Sequence, residues 1–192
     1  MRLYSFVQLL SLAVAARAIA VPINDDKIVQ NAQVPAAVVE ALNQLTTQLN
    51  KMRENIAKFD GDPLTAIPIL DSSTAIINTM KSSEEKIQNA TALGTSETYR
   101  LIAPLVSLNT AVGSVTKAHM AKKVKLDEID VGLVLSDQLD LLKVESKKMI
   151  GIVVAKLPAY MRGAIATPFY QPILDKVTST AAAFKSESKQ TS

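Results

Sequence analysis

Apolar residues recur along the chain at alternating steps of four and three. One run reads Val38, Leu42, Leu45, Leu49, Met52, Ile56 and Phe59. A second reads Leu101, Leu105, Leu108, Val112 and Val115, and its next step lands on His119. A third holds Leu135, Leu139 and Leu142, then Ser146, Met149 and Val153. Steps that average about 3.5 residues place each run on one side of a helix. A helix with one apolar stripe must bury it, so the pattern predicts helices packed on each other or on another apolar body.

Punctuation between the stripes sets the expected elements. A first helix is expected from Pro35 to about Phe59, because proline suits a first turn where its missing N–H is not needed. Asp60-Gly61-Asp62-Pro63 stops it and starts a second helix over 63–89, with Asp62 as N-cap and Pro68 as a kink or a delayed start. Thr95 or Ser96 caps a third helix that reaches Lys123 and bends at Pro104. A fourth is expected from Leu126 to Leu157, with Asp127, Glu128 and Asp130 in its first turn, where acidic groups suit the positive helix end. The last runs from Pro158 to Phe184, broken by Pro168 and Pro172. Short turns between four to five long amphipathic helices predict an all-α antiparallel up-and-down bundle.

The ends add a location. Arg2, the apolar stretch Phe6–Ala16 and the small-x-small site Ala18-Ile19-Ala20 read as a signal peptide over 1–20. A single helical-bundle domain over 21–184 and a disordered polar tail over 185–192 follow. No later run is long enough to span a bilayer, so no integral membrane segment is expected. In an exported chain the triplet Asn89-Ala90-Thr91 is an N-glycosylation acceptor at a helix end. The formal charge of +3 includes Arg2 and Arg17 of the leader, so the exported chain is nearly neutral and no nucleic-acid partner is called for.

Chemistry is sparse. With no cysteine and one histidine, thiol nucleophiles, thiolate zinc sites and histidine-rich metal clusters are out. No nucleophile elbow, phosphate loop or calcium loop occurs, so no catalytic residue, metal or cofactor is expected. The acidic pairs Asp25-Asp26, Glu84-Glu85 and Asp127-Glu128 read as caps or solvated faces. His119 takes an interior slot, either as a core histidine satisfied by a backbone carbonyl or Tyr hydroxyl, or as an anchor for the carboxylate of an apolar ligand. Lys117, Lys122, Lys123 and Lys125 read as a helix end complementing the dipole, or else as a contact for acidic headgroups or cell wall.

The core inventory bears most directly on function. Beyond the leader there is no Trp, and the aromatics are Phe59, Tyr99, Tyr160, Phe169, Tyr170 and Phe184. An aliphatic, Met-containing core adapts its packing. A 25-residue helix is about 37 Å long, longer than an extended acyl tail. Burying about fifteen methylenes would contribute a gross ~12 kcal/mol before association costs. Such a bundle could hold a lipid inside or lay an apolar face on a solid. The expected cavity lies between the first, third and fourth helices. Its lining candidates are Leu42, Leu45, Leu49, Leu101, Leu105, Leu108, Val112, Leu139 and Leu142, with His119 or Tyr99 as polar anchor at one mouth.

The leader, the Val38–Phe59 helix closing in Phe59-Asp60-Gly61, Lys122-Lys123 after a Leu/Val-rich helix, the absence of cysteine and the proline-interrupted last helix together carry a resemblance. The chain resembles the fungal hydrophobic-surface-binding protein A family, whose domain also occurs in antigenic cell-wall galactomannoproteins. That resemblance covers about 25–184 and implies a secreted or wall-associated helical protein that adsorbs to hydrophobic surfaces and, in cell-wall relatives, binds fatty acids. It supplies no site residues. Without a Ser/Thr-rich stalk or an apolar C-terminal tail, release to the medium is expected rather than permanent wall attachment. The expected partners are a fatty acid or similar apolar ligand and hydrophobic solid surfaces, with cell-wall polysaccharide as a further contact. The competing class is a secreted adaptor or inhibitor that binds a protein such as an extracellular hydrolase.

Overall fold

The computed structural model describes residues 33–185. The expected leader over 1–20 and the tail beyond 185 lie outside the described residues, while Lys185 itself ends the last helix. In chain order the helices are α1 (Gln33–Lys58), α2 (Pro63–Gln88), the short α3 (Thr95–Arg100), α4 (Ile102–Glu128) and α5 (Val131–Lys156). A 3₁₀ turn (Ala159–Met161), the single turn α6 (Arg162–Ile165) and a π-helical turn (Ala166–Tyr170) then lead into α7 (Gln171–Lys185). No strand occurs among the described residues.

The first turn follows the sequence closely. Asp62 caps α2 by accepting the Leu64 N–H at 2.8 Å, with Pro63 at the first helical position. Asp60 accepts from the Asp62 N–H at 3.0 Å and from the Thr65 hydroxyl at 2.9 Å. The backbone N–H, and after it the hydroxyl, hold its carboxyl below the usual carboxylate range. Gly61 sits at φ 115°, a region that only glycine enters without strain. Helix α2 continues through Pro68 without a break.

Two expected boundaries move. The third helix is not merely bent at Pro104 but divided at Leu101 into α3 and α4. Proline has no N–H to give the carbonyl of Arg100, four residues earlier, and its ring crowds that oxygen. The cap of α3 is Gly94, whose N–H donates to the Glu97 carboxylate at 2.6 Å, not Thr95 or Ser96. The second shift moves the next boundary from Leu126 to Val131. Asp127 and Glu128 belong to the end of α4, and Asp130 makes the turn in the left-handed region at φ 59°. Asp127 is held there by the Lys123 ammonium one turn earlier. A Cβ on Gly132 would fall 2.0 Å from Asp127 Oδ1, so the start of α5 folds tightly over that carboxylate.

Successive long helices reverse direction, within α1–α2 and α4–α5 through short turns and elsewhere through longer links that carry α3 or α6. What the stripes do not reveal is the order of neighbours. Helices α1 and α2 form one hairpin and α4 and α5 a second, laid beside it so that α1 packs on α4 and α2 on α5. Helix α7 enters between α4 and α5 and packs on both, more extensively than they touch each other. The result is a closed ring in the order α1, α2, α5, α7, α4. Three of its neighbouring pairs (α1–α4, α2–α5 and α4–α7) run parallel.

Parallel neighbours bring like helix ends together, and lysines answer the exposed carbonyls there. Lys122 Nζ donates to the Phe59 carbonyl at 2.7 Å and Lys125 Nζ to that of Asp60 at 2.9 Å, just past the end of α1. Lys156 Nζ donates to the carbonyls of Gln88 and Ala90 at 2.7 and 2.6 Å, at the end of α2. Each cation satisfies orphan acceptors and faces the negative end of a neighbouring dipole. Most of the basic cluster flagged in the sequence is thus structural stitching. Further along α2 and α5, Lys148 pairs with Glu84 at 2.5 Å and Lys81 with Glu145 at 3.7 Å.

Because the conformation of Gly61 excludes a Cβ, Gly61→Ala is expected to destabilise the protein by about 1–2 kcal/mol. A lowered urea midpoint with an unchanged slope would show it. Gly151, which has open space around it in the helical α5, should gain slightly on the same change.

Candidate functional site

Ring geometry leaves room on the axis. Helices about 9–10 Å apart in a five-membered ring have their centres about 8 Å from its axis. A helix with its side chains reaches only about 5–6 Å. The remaining gap, about 2–3 Å in radius, is close to the half-width of an alkyl chain given carbon contacts of about 4 Å.

Two voids occupy that position, and each is lined by all five long helices. The larger, of about 70 Å³, lies among Leu49, Met52, Ile76, Val112, Leu139 and Val177. Its polar members include His119, Thr116 and Thr180. The smaller, of about 40 Å³, lies among Leu42, Met149, Ile150 and Val153, with Tyr170 beside it. Both share Leu45, Met80, Leu108, Ser146 and Ile173, one residue from each long helix, which form a collar between them. Within the collar the Ser146 hydroxyl donates to Met80 Sδ at 3.6 Å. Ligand pockets commonly run to about 300–1,000 Å³. Neither void alone reaches that size, and together they form a seam interrupted at the collar. Movement of the Met80 side chain, the most adaptable of the collar, would join them. A broader depression along α1, beside Glu40, Asn43, Gln44 and Gln48, is open and polar and unsuited to an alkyl chain.

Of the lining candidates named from sequence, Leu45, Leu49, Leu108, Val112, Leu139 and Leu142 border the larger void, and Leu42 the smaller. Leu101 and Leu105 are fully buried but border neither, and Tyr99 is 60 % exposed on α3, away from both. The cavity expected between the first, third and fourth helices is in fact bounded by all five. Met80, Thr116, Thr180 and Tyr170 were not singled out as site residues. Ser146 and Met149 stand in the third stripe, but Tyr170 lies in the π-helical turn, where helical periodicity lapses and gives no signal.

His119 departs from the expected hydrogen-bonded core histidine. It is wholly buried, and neither Nδ1 nor Nε2 has a hydrogen-bond partner among the described residues. Phe184 meets its ring edge-on at a centroid distance of 6.2 Å. Burial pushes its pKa down to about 4, so the imidazole is neutral at pH 7. Tyr170 is also buried, its hydroxyl has no partner, and desolvation raises its pKa. Among the described residues, other buried side-chain oxygens without a partner belong to Glu84, Gln138 and Glu145, none of which borders either void. No group of His, Asp and Glu among the described residues is arranged to hold a metal ion. The axis is thus apolar, with an unpartnered polar side chain bordering each void.

Residues 35–155 match the model of the hydrophobic surface binding protein A family. No curated protein matches the sequence. Among solved structures, ligand-binding domain 2 of the Penicillium marneffei MP1 protein, complexed with multiple arachidonic acids, aligns with a TM-score of 0.74 at 18% identity. That alignment covers 79% of this chain and 96% of the domain. AFMP4P in complex with palmitic acid aligns with the same TM-score of 0.74 at 20% identity, covering 79% of this chain and 99% of that one. Ligand-binding domain 1 of MP1, complexed with arachidonic acids, also gives 0.74, at 15% identity, over 78% of this chain and 97% of the domain. At these identities the likeness establishes a shared fold.

A neutral buried histidine makes stability depend on pH. The unfolded chain protonates His119 near pH 6.5, while the folded one resists until about pH 4. Stability is therefore full above about 6.5 and falls as pH drops towards 4, by about 3 kcal/mol over the window. Thermal melts of the wild type and of His119→Leu from pH 7.5 to 4 should diverge, with the variant losing this component of the slope.

Proposed function

The chain belongs to the hydrophobic surface binding protein A family, and from that premise we propose that it is a non-enzymatic binder of long-chain fatty acids that works outside the cell. The axial seam carries this reading: two apolar voids set end to end on either side of one collar, with an unpaired imidazole at one end. The alkyl chain lies along the bundle axis and displaces Met80, and the carboxylate meets His119, with Thr116 and Thr180 beside it. Structural neighbours that hold arachidonic and palmitic acids support the ligand class. Bringing a carboxylate to a neutral imidazole favours the imidazolium, so binding near pH 6 takes up a proton.

Two further observations support an extracellular setting. Asn89 of the glycosylation triplet is exposed at the end of α2, and the first twenty residues carry the leader pattern. Among the described residues no helix is long and apolar enough to cross a membrane.

Adsorption to hydrophobic solids is a second property of the same molecule, and α5 is the face for it. Leu133, Val134, Leu141 and Val144 are each about half exposed or more, at 51, 48, 55 and 61 %. Val134, Leu141 and Val144 follow at steps of seven and three, so they form one outward stripe.

Hexadecanoic acid should raise the melting temperature and bind with one-to-one stoichiometry in calorimetry. His119→Phe should weaken it about tenfold or more, by loss of a hydrogen bond to a charged group. Absence of any stabilisation by the acid would overturn the reading. Separately, Leu141→Lys combined with Val144→Lys should cut retention on polystyrene while leaving calorimetric binding of the acid unchanged.

A further inference from the structure

The seam has a polar group at both ends, and only one of them is needed for a fatty-acid carboxylate. His119 closes the larger void and Tyr170 borders the smaller, and both are buried side chains whose polar atoms lack any partner. A buried hydroxyl without a partner is costly to keep, and a phenylalanine at position 170 would fill the same space without that cost. The methyl end of an ordinary fatty acid would leave the Tyr170 hydroxyl as unsatisfied as it is in the empty seam. A ligand with a second polar group would satisfy it.

The spacing sets the length of such a ligand. From Tyr170 to Thr180, which lies beside His119 at the far end, ten residues of helix span about 15 Å. Along α4, the eleven residues from Leu108 in the collar to His119 span about 16 Å, and Tyr170 lies about 5 Å beyond the collar, three residues before Ile173. The two routes bracket an end-to-end distance of about 15–21 Å. An extended alkyl chain advances about 1.25 Å per carbon from its bond length and tetrahedral angle, so about 12–16 carbons bridge the two ends.

We propose that the seam selects fatty acids oxidised at the far end of the chain, ω-hydroxy acids of about 12–16 carbons, with the carboxylate at His119 and the ω-hydroxyl bonded to the Tyr170 hydroxyl. This rests on the fatty-acid reading above and adds to it the chemistry of the tail. Discrimination arises because a site with a buried polar group rejects an analogue that cannot satisfy it more strongly than an apolar pocket rejects an added methylene.

Calorimetric titration of the full secreted chain with hexadecanoic acid and with 16-hydroxyhexadecanoic acid, both below their aggregation concentrations, tests this. The hydroxy acid is expected to bind about tenfold more tightly. Tyr170→Phe is expected to abolish or reverse that preference, read as the ratio of the two affinities. Equal affinities in the wild type, or a preference that survives Tyr170→Phe, would overturn the proposal and leave the fatty-acid reading standing. Failure of both acids to bind would overturn both. The wild-type comparison needs no variant, so poor folding of Tyr170→Phe would not obscure the result.

Discussion

The structure turns on where α7 sits. Two helical hairpins alone could close into a four-membered ring, whose axis lies about 7 Å from each helix centre and is nearly filled by side chains. By entering between α4 and α5, α7 expands the ring to five and moves the helices outward by about 1 Å or more. That is enough to leave a seam along the axis. No aliphatic side chain on five converging helices fills it completely without crowding a neighbour, so the packing closes at the collar and stays loose on either side. An interior that would otherwise be closely packed core keeps two small voids along its axis.

The rim of the ring is held more firmly than its middle. Lysines on α4 and α5 reach the carbonyls at the ends of α1 and α2, and ion pairs tie α2 to α5 and α7 to α5. These bonds fix the lengthwise register of parallel neighbours, which apolar stripes alone specify weakly. The axial face, by contrast, is aliphatic with Met52, Met80 and Met149, and aliphatic packing slides at low cost. A bundle pinned at its ends and adaptable inside can admit a ligand without losing its fold.

Polar groups within that adaptable region are where the proposed specificity resides. His119 and Tyr170 destabilise the empty protein, since each buries polar atoms without partners. On the proposed reading that cost is recovered when something polar reaches them, which would tie ligand choice to two side chains. For His119 the same burial that removes its charge at pH 7 leaves it poised to regain that charge beside a carboxylate.

The sequence by itself determined the all-α class, most helix ends and much of the core, though Leu64 and Ile67 of α2 prove to be exposed. Stripes of period near 3.5 name the inward faces of α1, α4 and α5, and Asp62 and Pro63 start α2, because these signals act through backbone geometry within a few residues; Pro104 signals a bend, while the division at Leu101 came only with the structure. The sequence also singled out His119, since a polar residue in an apolar stripe is visible without a structure. Tertiary structure alone decided the ring order, the wedge position of α7, the collar and the pairing of His119 with Tyr170 at opposite ends of one seam. It also placed Tyr99 on an exposed side of the short α3, bordering neither void. An apolar stripe states that a face is buried but not against which helix. The voids exist only in the arrangement of five faces around a common axis, separated by long stretches of chain, so no local pattern could encode them.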